Sequence, residues 1–249
     1  MRRVVRAAMS ASARRVGLDI EPRSWPVEAS PDDVAVMESA LPYTMVSRAR
    51  LWSAVNAVKY VVSAGICGDV VEAGVWRGGC SFAMASTLHR MGDGNRGIWL
   101  YDTFDGMTAP TVRDVEIASG EEAAVILERV NDKSTYWARA QRDQVARLLS
   151  ESGVASERLH LVRGDVRETL PSAAPEAIAV LRLDTDWYES TRWELETLYD
   201  RVSVGGVIII DDYGHWEGAR AAVDEFFSER RITPLLHRID YSGRQMIKL

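Results

Sequence analysis

The amino-acid sequence predicts an α/β fold in which helices cover a mostly parallel sheet. Between residues 70 and 210, short apolar runs of strand length alternate with longer stretches whose apolar residues recur at helical spacing. A glycine-rich turn follows the first of these runs, and acidic residues follow the last two. The 249 residues suit one hydrophobic core with flanking helices, so we expect a single domain.

The chain begins with a basic stretch that differs in composition from the rest. Five arginines lie between residues 2 and 15, and no acidic residue precedes Asp19. This pattern loosely resembles an organelle transit peptide, but we favour a mobile tail or a solvated helix. We therefore divide the chain into a basic N-terminal tail, residues 1–30, and one domain, residues 31–249.

The domain is predicted to open with two helices before the strands begin. Each later strand is followed by a helical stretch, as expected of parallel strands joined by crossovers. The predicted strands are residues 70–73, 98–101, 159–162, 178–183 and 207–210, and the predicted helices include residues 31–40, 47–64, 81–91 and 217–229.

The end of the chain distinguishes between two kinds of Rossmann-like sheet. Residues 235–239 and 245–249 flank a turn at residues 241–244, which indicates an antiparallel hairpin. A parallel sheet that ends in such a hairpin is typical of class I methyltransferases, whereas the strands of a dehydrogenase sheet stay parallel. Residues 103–157 exceed an ordinary crossover, so we expect a lid-like insertion there in addition to a helix.

The turn after the first strand favours a nucleoside ligand. Residues 72–79 do not fit the G-x-G-x-x-G pattern, but Gly74 permits a sharp turn and close approach to a ligand. Asp102 ends the second strand, where a carboxylate can accept hydrogen bonds from both ribose hydroxyls. By itself Asp102 could equally be a helix cap or a solvated turn residue. Together with Glu72 and the glycine turn, it favours an adenosine-containing ligand.

Acidic pairs follow two apparent strands. Asp184 and Asp186 follow one apolar run, and Asp211 and Asp212 follow the next. Asp211 lies 27 residues after Asp184. The carboxyl ends of neighbouring parallel strands meet at one edge of a sheet, so these four carboxylates should converge there. They would repel one another without a cation between them, and hard oxygen ligands favour Mg²⁺.

Six motifs stand out along the chain: Tyr43-Thr44-Met45 and residues 71–79, 102–106, 164–171, 181–186 and 210–213. Together they resemble the macrocin O-methyltransferase family of bacterial natural-product tailoring enzymes, over about residues 38–230. Members use S-adenosylmethionine and Mg²⁺ to methylate hydroxyl groups, usually on sugars attached to, or destined for, a secondary metabolite. The resemblance implies the same activity here.

The resemblance also implies roles for individual residues. Asp184, Asp211 and Asp212 match the metal ligands, and Asp186 matches the general base. Two alternatives stay open, since Asp186 could cap the helix that begins near Tyr188, and His215 could act as the base. The expected cofactor contacts are Thr44, Met45, Glu72, Gly74, Trp76, Ser81, Asp102, Thr103, Asp165, Val166 and Asp184.

Aromatic residues beside the acidic pairs suggest an acceptor-binding surface. Tyr188, Tyr213 and Trp216 could form a platform for a sugar or polyketide face, and Trp187 is equally well explained as a core residue. The expected acceptor is a glycosylated small molecule or a sugar. A phenol or another hydroxylated antibiotic core is the alternative substrate. A non-catalytic nucleoside-binding module is disfavoured, because it would not need four carboxylates at this edge.

The overall charge and apolar content limit the remaining partners. The formal net charge is -6, which leaves no electrostatic footprint for nucleic acid. No apolar run approaches the roughly 20 residues needed to cross a bilayer, so we expect no membrane partner. Two cysteines are too few for a disulfide framework, and we expect a cytoplasmic protein that forms a homo-oligomer.

Overall fold

The centre of the molecule is a seven-stranded sheet with strand order β3-β2-β1-β4-β5-β7-β6. The computed structural model describes residues 24–130 and 134–249. Strands β1 to β5 are parallel, whereas β7 runs antiparallel to β5 and β6 runs antiparallel to β7. The strands are β1 Asp69–Ala73, β2 Ile98–Asp102, β3 Leu159–Arg163, β4 Ile178–Leu183, β5 Val202–Ile210, β6 His237–Arg238 and β7 Arg244–Ile247.

Helices cover both faces of the sheet. Successive strand residues point to opposite faces, so Val70 and Ile209 pack under one helical layer while Val71 and Ile208 pack under the other. The helices are α1 Pro31–Ala40, α2 Arg48–Ser63, α3 Gly79–Arg90, α4 Ala123–Arg129, α5 Arg142–Ser150, α6 Val166–Thr169, α7 Tyr188–Leu198 and α8 Glu217–Glu229.

The two N-terminal helices begin at polar caps. The Ser30 hydroxyl accepts a hydrogen bond from the Asp33 N–H, and the Asp33 carboxylate accepts one from the Ser30 N–H, which completes a capping box for α1. The Ser47 hydroxyl accepts a hydrogen bond from the Arg50 N–H at the start of α2. This cap fixes the position of Arg50, which reaches the acidic edge of the sheet.

The α/β class and the methyltransferase-type sheet are confirmed, with differences at three places. Strand β5 begins at Val202, five residues before the predicted start, because Gly205 at φ +84° continues the strand where a turn was expected. The hairpin strands are shorter than predicted. The insertion at residues 103–157 holds two helices, α4 and α5, where one was expected. Most of the predicted basic tail lies outside the described residues.

None of the helices in the two described ranges is long and apolar enough to cross a lipid bilayer.

Candidate active site

A cleft of about 260 Å³ lies at the carboxyl edge of the parallel strands. The turns after β1 to β5 line it, together with residues 44–46 before α2 and residues 106–108 of the insertion. Fourteen of the site residues predicted from the sequence line this cleft: Thr44, Met45, Glu72, Gly74, Trp76, Asp102, Thr103, Asp165, Val166, Asp184, Asp186, Asp211, Asp212 and His215. Ser81, Tyr188, Tyr213 and Trp216 do not.

The turn after β1 depends on a glycine. Gly74 has φ +83°, and a Cβ placed there would lie 1.8 Å from the Asp184 carbonyl oxygen. The end of β1 and the end of β4 therefore approach each other more closely than any side chain at residue 74 would permit. This contact brings the glycine turn beside the acidic pair of β4.

Asp102 holds that turn from the end of β2. Its Oδ2 accepts hydrogen bonds from the Val75 and Trp76 N–H groups, at 2.8 and 2.9 Å, and its Oδ1 accepts one from Phe104 N–H at 2.6 Å. A carboxylate has about four acceptor positions, so about one remains for a ligand. The contact between Asp102 and the ribose stays a prediction, for which about one acceptor position is free in this conformation.

Glu72 lies at the bottom of the cleft with 1% of its surface exposed. Its Oε1 accepts a hydrogen bond from Arg182 Nη1 at 2.6 Å, and its Oε2 accepts one from the Ser81 hydroxyl. Burial raises the pKa of Glu72, while Arg182 and Ser81 oppose that change. Ser81 thus acts on Glu72 from behind the cleft, which explains why it does not line the cavity.

Three of the four carboxylates that the sequence predicted to converge lie together, and Asp186 lines the same cleft. One oxygen from each of Asp184, Asp211 and Asp212 lies within 4.8 Å of the others. Burial, followed by the neighbouring negative charges, raises the pKa of Asp212 well above its ordinary value. Burial also opposes ionisation of Asp211, but Arg182 and Arg50 hold its pKa below the ordinary value.

Two arginines within the cluster were missed by the sequence analysis. Arg182 is 1% exposed and binds Glu72, Asp184 at 2.7 Å and Asp211 at 2.5 Å. Arg50 from α2 pairs with the other oxygen of Asp211 and, at 3.0 Å, with Asp240 of the C-terminal hairpin. A charged residue inside the apolar β4 run was a usable signal for Arg182. No comparable sequence signal indicated Arg50, because 161 residues separate it from Asp211.

The cluster fits a hard divalent cation such as Mg²⁺. Five carboxyl groups meet two guanidinium groups there, so the arginines can balance only two of the five negative charges that full ionisation would produce. The convergent donors of Asp184, Asp211 and Asp212 are all oxygens, which is the set that Mg²⁺ prefers. The five carboxyl groups are those of Glu72, Asp184, Asp186, Asp211 and Asp212.

Asp186 sits at the centre of a tight turn between β4 and α7. Its φ is +67°, and the Trp187 N–H donates to the Thr185 carbonyl at 2.8 Å, as in a γ-turn. Trp216 Nε1–H donates to Asp186 Oδ1 at 3.0 Å. Burial and then the charge of Asp184 raise the pKa of Asp186 to about 7. Strained non-glycine residues of this kind concentrate at functional sites.

The alternative role of Asp186 as a helix cap is wrong. Trp187 occupies the N-cap position of α7 and makes no side-chain cap. The first helical N–H, that of Tyr188, donates instead to Asp114 Oδ1 of the insertion at 2.7 Å. The Asp186 carboxylate therefore remains directed at the cleft.

His215 lines the cleft on the side of the C-terminal hairpin. Its ring packs edge-on against Trp216 and Tyr241, with centroid distances of 4.8 and 6.0 Å, and its Nε2 lies 3.7 Å from Glu116 Oε1. Burial lowers the pKa of His215. At neutral pH this favours an uncharged imidazole, which can accept a proton or contact an acceptor.

The structure does not bring two of the proposed platform residues to the cleft. The Tyr188 hydroxyl donates to Glu225 at 2.7 Å, and the Tyr213 hydroxyl donates to Asp224 at 2.8 Å. Both tyrosines thus turn towards polar residues of α8 and away from the acidic edge. Trp216 is buried, and it contacts Asp186 and Trp187 beside the cleft.

Comparison with known proteins shows which family has this architecture. A sequence profile of the macrocin O-methyltransferase family, TylF, matches residues 3–247. The chain belongs to the macrocin O-methyltransferase family. The resemblance carried by the six motifs is therefore confirmed, and the protein is an S-adenosylmethionine-dependent O-methyltransferase.

Relatives in the family modify natural products. A tetracenomycin rhamnosyl 4'-O-methyltransferase from Streptomyces olivaceus is 35% identical over 81% of this chain and 74% of its own. Demethyldecarbamoylnovobiocin O-methyltransferase from Streptomyces niveus is 33% identical over 90% of this chain and 77% of its own. The solved structure of the O-methyltransferase NovP superimposes with a TM-score of 0.71 at 31% identity, covering 83% of this chain and 82% of that one.

A further buried carboxyl group, that of Glu194, contacts the turn that carries Asp186. Glu194 on α7 accepts a hydrogen bond at Oε1 from the Thr185 hydroxyl at 2.8 Å. Its Oε2 has no hydrogen-bond partner among the residues that the structure describes. Burial raises the pKa of Glu194 to about 8. A glutamate on the apolar face of a helix was the sequence signal for this residue, and the analysis did not use it.

Glu194 should make the protein less stable as the pH rises. Between its ordinary pKa of 4.5 and its raised pKa of about 8, the native state holds a proton that the unfolded chain has lost. The free energy of unfolding therefore falls across this window. Glu194→Gln should remove about 3–5 kcal/mol of that fall, because each pKa unit corresponds to about 1.4 kcal/mol.

Urea unfolding of both proteins from about pH 5 to about pH 9 measures this effect. The glutamine amide also lacks a hydrogen-bond partner, so the variant has a lower free energy of unfolding by an amount that does not depend on pH. The informative quantity is the difference in slope. Parallel curves for the two proteins would show that Glu194 is already ionised in the native state.

Proposed function

We propose that this enzyme uses Mg²⁺ to methylate a sugar hydroxyl of a bacterial secondary metabolite or of its nucleotide-sugar precursor. The arrangement of Asp184, Asp211 and Asp212 around one point, with Asp186 beside them in the same cleft, carries the proposal. The name of the Streptomyces olivaceus relative specifies a rhamnosyl group and a 4'-O-methyltransferase activity, and this supports a sugar acceptor.

The residues around the glycine turn would hold the methyl donor. Asp102 retains about one acceptor position for a ribose hydroxyl, and Asp165 and Val166 line the far end of the cleft after β3. Thr44 and Met45 close the cleft from the side of α2. Glu72 lines the cleft beside the glycine turn and would face the methionine part of the donor.

The acidic cluster would orient and deprotonate the acceptor. An aliphatic hydroxyl is a weak nucleophile, and Mg²⁺ held by Asp184, Asp211 and Asp212 would lower its pKa and fix its direction. Asp186 then accepts the hydroxyl proton. The oxygen bonds to the methyl carbon as the carbon–sulfur bond breaks, so the products are a methyl ether and S-adenosylhomocysteine.

A panel of acceptors incubated with labelled S-adenosylmethionine tests this proposal. Glycosides, nucleotide sugars and simple phenols should be compared by mass spectrometry in Mg²⁺ and in EDTA. We expect methylated glycoside or sugar in Mg²⁺, background levels in EDTA, and recovery when Mg²⁺ is restored. Full activity in EDTA would remove the metal from the proposal, and methylation of phenols alone would establish the alternative acceptor.

We also propose a cytoplasmic location and a homo-oligomeric state. The free thiols of Cys67 and Cys80 suit a reducing compartment. The oligomeric state remains a prediction, which sedimentation velocity at several protein concentrations would test.

A further inference from the structure

A second cavity of about 180 Å³ adjoins the acidic cleft. The two cavities share Met45, Met107, Ala138, Asp186 and His215 as walls. We call the second cavity the tryptophan compartment; its remaining walls are Ile126, Leu127, Thr135, Trp187 and Trp216. Asp186 lines both cavities, so an acceptor whose hydroxyl meets Asp186 could extend into the tryptophan compartment.

The indole rings present carbon surfaces to this compartment. Trp187 Nε1–H donates to the Thr108 carbonyl at 2.9 Å, and Trp216 Nε1–H donates to Asp186 at 3.0 Å. Both donors are therefore occupied. The rings pack edge to face with centroids 5.0 Å apart, and Ile126 and Leu127 of the short insertion helix α4 face them. Such walls favour an apolar or aromatic group.

The charges around the compartment disfavour a diphosphate. None of the described residues that line it is a lysine or an arginine, and Asp186 contributes a carboxylate at its entrance. In the adjoining cleft, Arg50 and Arg182 are lining residues whose guanidinium groups pair with carboxylates. Diphosphates are usually bound by arginine or lysine side chains or by helix N-termini.

The volume of the compartment limits the size of its occupant. An apolar cavity of about 150 Å³ in another protein holds one benzene molecule. A cavity of about 180 Å³ therefore accommodates one six-membered ring with small substituents, but no larger fused system without rearrangement.

We propose that the tryptophan compartment binds an apolar, ring-sized group that the acceptor carries beside the sugar to be methylated. The acceptor is then a finished glycoside rather than a nucleotide sugar. This inference rests on the proposed function, because it places the acceptor hydroxyl at Asp186. It adds a specificity element formed by α4 of the insertion together with Trp187 and Trp216.

Calorimetry with protein saturated with S-adenosylhomocysteine and Mg²⁺ tests the proposal. The probes are phenyl α-L-rhamnoside, methyl α-L-rhamnoside and thymidine diphosphate rhamnose. Because burial of a phenyl-sized group typically contributes 10- to 100-fold in affinity, the phenyl glycoside should bind about 10- to 100-fold more tightly than the methyl glycoside. The nucleotide sugar should bind no more tightly than the methyl glycoside.

A larger side chain that fills the compartment should remove the preference for the phenyl glycoside over the methyl glycoside. Leu127→Trp places a larger side chain in the cavity, and the milder Leu127→Phe serves if the first variant folds poorly. Both should abolish the advantage of the phenyl glycoside and leave the affinity for the methyl glycoside unchanged. Val125→Trp is the matched control, because Val125 lies on the same helix with 46% of its surface exposed.

A sugar-independent measurement separates the failure of this inference from that of the proposed function. Fluorobenzene should show saturable ¹⁹F line broadening with the wild type and with Val125→Trp, and none with Leu127→Trp. Fluorobenzene binding without methylation of any glycoside would overturn the proposed function and keep only the compartment as a site for an apolar ring. The inference itself is overturned if fluorobenzene does not bind, if the two rhamnosides bind equally, or if the nucleotide sugar binds most tightly.

Discussion

Asp212→Asn is expected to lower kcat by about 10³-fold, because loss of a metal ligand removes several kcal/mol of stabilisation from the developing alkoxide. Thermal stability should change little. Asp212 forms an ion pair with neither Arg50 nor Arg182, and Trp216 donates to Asp186 rather than to Asp212. The substitution also keeps the shape of the side chain and removes an ionisable group from a crowded acidic cluster.

Asp211 would give a less informative variant. Its two oxygens pair with Arg182 and Arg50, and both arginines are largely withdrawn from water. Removing one partner of such a buried pair typically costs 3–5 kcal/mol in stability. An inactive Asp211→Ala protein could therefore be inactive because its cleft has rearranged.

The measurement for Asp212→Asn combines steady-state kinetics, Mg²⁺ titration and thermal denaturation. Asp105→Asn is the matched control, since Asp105 carries the same charge but is exposed outside the cleft. We expect the control to behave as the wild type, and Asp212→Asn to lose Mg²⁺ affinity while retaining its affinity for S-adenosylhomocysteine. Unchanged turnover and an unchanged Mg²⁺ isotherm in Asp212→Asn would contradict the proposed metal site.

The sequence predicted those parts of the fold that depend on local periodicity. The apolar run of β4 and the amphipathic pattern of α8 gave their observed bounds, Ile178–Leu183 and Glu217–Glu229. The convergence of the acidic pairs also followed, because parallel strands place their carboxyl ends together. Predicting these features does not require knowing which distant residues are in contact.

The features that the sequence did not predict depend on contacts between distant segments. Tyr188 and Tyr213 lie near the acidic pairs in sequence, but hydrogen bonds to α8 direct their side chains elsewhere. Asp102 was assigned to the ribose, whereas the backbone N–H groups of two turns occupy most of its acceptor positions. Charge repulsion predicted a cation among the carboxylates, and Arg182 supplies part of that charge from within the protein.

Asp186→Asn should lower kcat by about 10²–10⁴-fold, the usual contribution of a positioned proton acceptor. The asparagine carbonyl can still accept the hydrogen bond from Trp216 Nε1–H, so the turn between β4 and α7 should keep its shape. The affinities for S-adenosylhomocysteine and Mg²⁺ should stay close to those of the wild type. Calorimetry measures both affinities in the same preparation that is used for kinetics.

His215→Ala is the comparison that separates the two candidate bases. The His215 ring packs against Trp216 and Tyr241 at the edge of the cleft, so its removal should weaken acceptor binding and raise KM more than it lowers kcat. If Asp186→Asn were silent and His215→Ala inactive at saturating Mg²⁺, the base would be the histidine. The geometry favours Asp186, since a strained turn, a Trp216 hydrogen bond and a buried Glu194–Thr185 contact all fix its carboxylate beside the proposed metal ligands.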